Sequence, residues 1–125
     1  LMGNVNNKIC IMIDDMIDTG GTMCKAAKLL KDNGAKEIYM LACHGLFSGN
    51  AIKNIENSEI TKIIVSNTIK HQTNVLNCNK IQIIDVSWLC AESIRRQNFG
   101  ESLTELYKYI DENVFDTSYP INFIN

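Results

Sequence analysis

Lys8-Ile9-Cys10-Ile11-Met12-Ile13 is a continuous apolar run with polar residues on either side, the pattern of a strand buried on both faces, and it stops at Asp14-Asp15. A loop with two glycines follows. From Thr22 the apolar residues Met23, Ala26, Ala27 and Leu30 recur at i, i+3, i+4 and i+7, one face of a helix that Gly34 terminates. Glu37 to Cys43 reads as a second buried strand, so these elements predict a β-α-β unit with parallel strands and a right-handed crossover. His44 to Gly49 is a loop, and Asn50 to Asn57 a short helix with Ala51, Ile52 and Ile55 inward. Strand residues return at Lys62 to Val65, and Ser66 to Lys80 is polar loop. Lys80 to Val86 is a fourth strand. Ser87 caps a helix through Arg96 whose Leu89, Ala91 and Ile94 face inward. A last amphipathic segment covers Glu101 to Ile110, and Asp111 to Asn125, with the only proline at Pro120, shows no period. The expected architecture is α/β, a parallel sheet with flanking helices.

At 125 residues the chain has one domain's worth of sequence, and neither an internal repeat nor a low-complexity linker divides it. Apolar residues make up 46% and charged residues 21%, which excludes disordered and fibrous classes. The run Ile9 to Ile13 is far short of the roughly 18 residues that span a bilayer, and Leu1 to Cys10 lacks the features of a signal peptide. With a net charge of -2 and no basic stripe, neither membrane nor nucleic acid is an expected partner. The five cysteines, Cys10, Cys24, Cys43, Cys78 and Cys90, contain no C-x-x-C pair, so they read as mostly buried thiols in a reducing cytoplasm. The 18 isoleucines, 15 asparagines and 10 lysines reflect an AT-rich genome, being spread over strands and loops alike, and carry no chemistry.

Chemistry is concentrated in Asp14-Asp15-Met16-Ile17-Asp18-Thr19-Gly20-Gly21-Thr22, between the carboxyl end of a parallel strand and the start of a helix, where α/β sheets bind ligands. Thr19 to Thr22 offer backbone N–H groups, two hydroxyls and a helix N-terminus to phosphate oxygens, and two glycines allow close approach. Asp14 and Asp15 would repel phosphate itself. Beside a phosphate cradle they make sense as acceptors for neutral hydroxyls of the same ligand, or as holders of Mg²⁺. A Walker A loop is excluded, because Gly21 and not lysine precedes the final threonine.

Asp-Asp-x-x-x-Thr-Gly-Gly-Thr after an apolar strand resembles the phosphoribosyl-binding signature shared by type I phosphoribosyltransferases and the ribose-phosphate pyrophosphokinases, or PRPP synthetases. Other segments resemble the synthetase family in order and spacing: Asp18, His44 to Gly49, Ser66 to Ile69, Lys80 to Ser87, Ala91 to Arg96 and Gly100 to Leu103. The resemblance covers residues 1 to about 112. It implies a phosphoribosyltransferase-like domain, incomplete as a sheet, at the C-terminal end of a longer polypeptide, with residues 113–125 a tail of unknown role.

By that resemblance Asp18, Thr19, Gly20, Gly21 and Thr22 bind the 5-phosphate of ribose 5-phosphate, and Asp14 and Asp15 take the ribose 2- and 3-hydroxyls directly or through Mg²⁺. The family transfers a diphosphoryl group from ATP to ribose 5-phosphate, giving PRPP and AMP for nucleotide biosynthesis. Its ATP-binding segments, metal-binding histidine region and catalytic loop lie upstream of the point matching Leu1, so this chain holds no catalytic residue and is inactive alone. Dimers within a hexamer are the implied assembly. Ser102 and Tyr107 match positions bordering an allosteric ADP and phosphate site. Two alternatives remain open: a phosphoribosyltransferase using PRPP as donor, and a non-catalytic synthetase-associated regulatory subunit. His44 reads as a structural hydrogen-bonding residue, His71 as solvated, Trp88 as packing, and Arg95 and Arg96 as a solvated helix end.

Overall fold

The computed structural model describes residues 1–106 and the backbone of 123–124. Four parallel strands, β1 (Ile9–Ile17), β2 (Glu37–Gly45), β3 (Lys62–Ser66) and β4 (Ile81–Ile84), lie side by side in chain order. Helices α1 (Gly21–Asp32), α2 (Ala51–Glu56), α3 (Thr73–Leu76) and α4 (Ser87–Phe99) follow them in turn. A short strand β5 (Phe123–Ile124) joins β4 antiparallel, in the segment that the residue pattern left without structure.

The core lies on one face of the sheet. Register aligns Cys10 with Ile38, Met12 with Met40, Ile63 and Ile81, and Ala42 with Val65 and Ile83. Side chains alternate across a strand, so these residues share a face, and Met23, Ala27, Ala51 and Ile55 of α1 and α2 complete the same core. Helix α1 ends as its sequence predicts: Gly34 takes φ +88°, its N–H donates to Lys31 O, and Ala35 N–H donates to Leu30 O, a Schellman motif.

The opposite face departs from expectation. Strand β1 is an edge, and Ile9, Ile11 and Ile13 are 57%, 62% and 79% exposed, so it is buried on one face only. It also runs four residues past Ile13, because pairing with β2 continues to Met16 with His44 and Ile17 with Gly45. Helix α4 has no buried residue: Leu89 is half-buried, Ala91 exposed and Ile94 67% exposed, against the expected inward face. Helix α4 instead ends in an ion cluster. Arg95 bonds Glu92 and Glu101, and Arg96 bonds Glu92, which makes this end a paired surface rather than a free one. The Arg95 hydrogen bond, with Arg96 adding to it, holds the Glu92 carboxyl down to about 2.

Of the cysteines only Cys78 is fully buried; Cys10 and Cys24 are half-buried, and Cys43 and Cys90 exposed, so the expectation of mostly buried thiols fails. All five are free. His71 is half-buried beside Phe47, with ring centroids 5.8 Å apart, rather than solvated. No helix among the described residues is long and apolar enough to cross a membrane.

Exposure makes a simple prediction at β1. Ile13→Thr is expected to move the urea-denaturation free energy by less than about 0.5 kcal/mol, because little surface leaves water at that position. A loss of roughly 2 kcal/mol would mean that Ile13 is covered.

Candidate functional site

A cavity of about 200 Å³ opens where β1 gives way to α1. Asp14, Met16 and Ile17 line it from the strand, Asp18 to Thr22 from the turn, and Met23 and Met40 from the core side. The turn depends on Gly20, which adopts φ +72°, a left-handed conformation that a side chain disfavours. Helix α1 begins immediately after it, with Cys24 N–H donating to Gly20 O at 2.9 Å. The N–H groups of its first turn have no partner within the helix, no side chain caps them, and no acidic residue sits among them. A positive helix end therefore faces the cavity, flanked by the hydroxyl-bearing residues Thr19 and Thr22.

The acidic pair is divided by strand geometry. Both are exposed, but Asp14 lines the cavity while Asp15, whose side chain leaves the strand on the other side, is outside the lining, and its N–H donates to Asp14 Oδ1 at 3.0 Å. Of the seven site residues expected from sequence, the structure thus brings six together and leaves Asp15 apart. Among the described residues no group of three or more histidine, cysteine or acidic side chains could hold a metal. The donor set fits a magnesium ion only in company with its ligand, since Mg²⁺ is commonly held by one or two carboxylates together with substrate phosphates and water. Asp14 and Asp18 are the carboxylates in the lining, and of the Asp14-Asp15 pair Asp14 is the one placed to contribute.

The segment after β2 backs the turn. Leu46 N–H and Phe47 N–H both donate to Ile17 O, at 2.8 and 3.2 Å, and Ser48 N–H donates to Asp18 O at 3.2 Å. Farther along the carboxyl ends of the strands, Ser66 Oγ and Thr68 Oγ1 donate to Cys43 O, and His44 Nδ1 lies 2.8 Å from Thr68 Oγ1, the structural role expected of His44. Asp85 accepts from Ser87 Oγ at 2.5 Å, Ser87 N–H and Asn67 Nδ2, which together hold its carboxyl below the usual range. Ser87 therefore starts α4 by donating to Asp85 rather than by capping with its own oxygen. Burial pushes the Cys24 thiol up, against a hydrogen bond with Ser58 and the charge of Lys80.

Ser102 is exposed and its carbonyl accepts from Arg96 at 3.0 Å; Tyr107 lies outside the described residues. Sequence reasoning missed the backing by Leu46 to Ser48, because backbone donors leave no signature in side-chain pattern.

Residues 1–108 match the family of the phosphoribosyl synthetase-associated domain. Over 108 residues the chain is 47% identical to ribose-phosphate pyrophosphokinase 1 of Candida albicans, and 45% identical to ribose-phosphate pyrophosphokinase 3 of Saccharomyces cerevisiae. Each alignment takes in 86% of this chain and 34% of the relative. Identity to ribose-phosphate pyrophosphokinase 2 of Schizosaccharomyces pombe is 50% over 107 residues, covering 86% of this chain and 33% of that one. In three dimensions the chain superposes on a crystal structure of phosphoribosylpyrophosphate synthetase from Mycobacterium smegmatis with a TM-score of 0.75 and 33% identity, over 79% of this chain and 33% of that one. The chain spans about a third of the length of the curated relatives it matches.

Proposed function

Because this chain belongs to the ribose-phosphate pyrophosphokinase family, we propose that it supplies the ribose 5-phosphate half of a ribose-phosphate diphosphokinase and lacks the ATP half. One observation carries this reading: a hydroxyl-accepting carboxylate, Asp14, and an uncapped helix N-terminus behind Asp18 to Thr22 line the same 200 Å³ cavity. A sugar phosphate has both chemistries in one molecule. Its phosphate is drawn to the N–H groups and hydroxyls of Thr19 to Thr22, while its ring hydroxyls donate to Asp14.

In the proposed reaction the ribose 1-hydroxyl oxygen attacks the β-phosphorus of ATP, the bond to the α,β-bridging oxygen breaks, and AMP leaves. This chain's residues contribute to it by fixing the acceptor, which places the attacking hydroxyl. Magnesium, when bound with the substrate near Asp14, neutralises phosphate charge. Asp15, on the other face of β1, is proposed to act on the ribose hydroxyls or the ion only if the strand end rearranges. ATP and PRPP as further ligands, a cytoplasmic setting, dimers within a hexamer and an ADP and phosphate site near Ser102 and Tyr107 belong to the same proposal. The exposed isoleucines of β1 support the view that further polypeptide covers this face in the working enzyme.

AMP release tests the division of labour. The 125-residue chain, mixed with ATP, Mg²⁺ and ribose 5-phosphate, is expected to form no AMP above the buffer control, whereas a longer polypeptide carrying it forms AMP only when ribose 5-phosphate is present. Turnover by the chain alone contradicts the proposal.

A further inference from the structure

We infer that Asn54 of α2 is a positioning residue for the anion-binding turn, the side-chain member of a clamp whose other members are the backbone N–H groups of Leu46, Phe47 and Ser48. Three successive carbonyls of the turn are each held by a donor from this segment. Ile17 O accepts from Leu46 and Phe47, Asp18 O accepts from Ser48, and Thr19 O accepts from Asn54 Nδ2 at 3.3 Å. A trans peptide unit is planar, and its N–H points opposite to its C=O. Holding the carbonyls of Ile17, Asp18 and Thr19 toward the clamp therefore turns the N–H groups of Asp18, Thr19 and Gly20 the other way, among the residues that line the cavity.

The consequence for an anion is electrostatic. A carbonyl oxygen swung into the cavity would repel phosphate at the place where an N–H should attract it, and the freedom of Gly20 makes such a peptide flip easy. At Ile17 and Asp18 the donors are backbone groups, which no substitution short of proline removes. At Thr19, next to the glycines, the hold depends on one side chain. Asn54 is itself well placed to give it: its N–H donates to Asn50 O, its own carbonyl accepts from Cys24 Sγ of α1, and the adjoining Ile55 is fully buried. A donor on a rigid element presents the peptide following Thr19 in one orientation.

The inference rests on the reading of this turn as a phosphate site, and its test separates the two. In the ligand-free chain, Asn54→Ala is expected to shift the Gly20 amide resonance and speed its hydrogen exchange, with the melting temperature unchanged because Asn54 is exposed. Asn54→Asp, which keeps the shape and loses the donor, is expected to do the same; Asn54→Gln, which keeps the amide, restores the Gly20 signal toward that of the unmodified chain. Affinity for ribose 5-phosphate is expected to fall roughly threefold to tenfold in the alanine and aspartate variants, the equivalent of one hydrogen bond, and to recover in the glutamine variant. A Gly20 amide indifferent to all three substitutions overturns the inference. A Gly20 response in a chain that takes up no ribose 5-phosphate supports the clamp and contradicts the substrate reading.

Discussion

Phe47→Ala is expected to lower the unfolding free energy by about 3–5 kcal/mol, the usual cost of removing a buried phenylalanine ring. Phe47 is only 6% exposed and belongs to the core, its ring lies beside His71, and it holds a left-handed φ of 53°. The backbone strain is common to phenylalanine and alanine, so it does not offset the loss. The ring also explains Gly45, the last residue of β2: a methyl group there would stand 2.8 Å from Phe47 Cζ, closer than packed carbons allow. Because Phe47 N–H and its neighbour's hold Ile17 O, loosening this corner disturbs the anion-binding turn as well as the core. Urea denaturation followed by circular dichroism measures the effect, and a loss below about 1 kcal/mol would show that the ring does little to hold the β2–α2 connection.

Much of the β-α-β unit was legible in the residues. The spacing of Met23, Ala26, Ala27 and Leu30 gave α1 its buried stripe, and Gly34 ended it, since both depend on local periodicity and a local φ requirement. The site was legible for a related reason: a glycine-bearing turn between a strand and a helix carries its chemistry in contiguous residues. Burial was less legible. Ile9, Ile11 and Ile13 look the same in sequence as Ile38 and Ile63, yet the first three lie exposed and the last two are fully buried, because an apolar pattern does not say which neighbour covers a face. A chain with 18 isoleucines makes that ambiguity worse. The same reason accounts for Ile94 on α4. Strand β5 was missed because two residues of pairing leave too short a pattern, and the turn α3 because its only periodic signal is Val75, followed by the buried Cys78.

Asp14 and Asp15 show how an element boundary changes chemistry. Ending β1 at Ile13 makes the two carboxylates a pair on a flexible turn. Extending the strand to Ile17 puts them on opposite faces, and only Asp14 meets the cavity. Asn54 lies 35 residues from Thr19 and outside any motif, so nothing local marks it.

Whether one cavity reads both the phosphate and the hydroxyls of a sugar phosphate is decided by calorimetric titration of the chain and two variants with ribose 5-phosphate and with inorganic phosphate. Thr22→Ala is expected to weaken both ligands by roughly tenfold or more, since a hydrogen bond to a charged group contributes about 1.5–3 kcal/mol. Asp14→Ala is expected to weaken ribose 5-phosphate while leaving inorganic phosphate as tight or tighter, because it removes a hydroxyl acceptor together with a repelling charge. Ribose 5-phosphate binding that is unchanged in both variants would contradict the account.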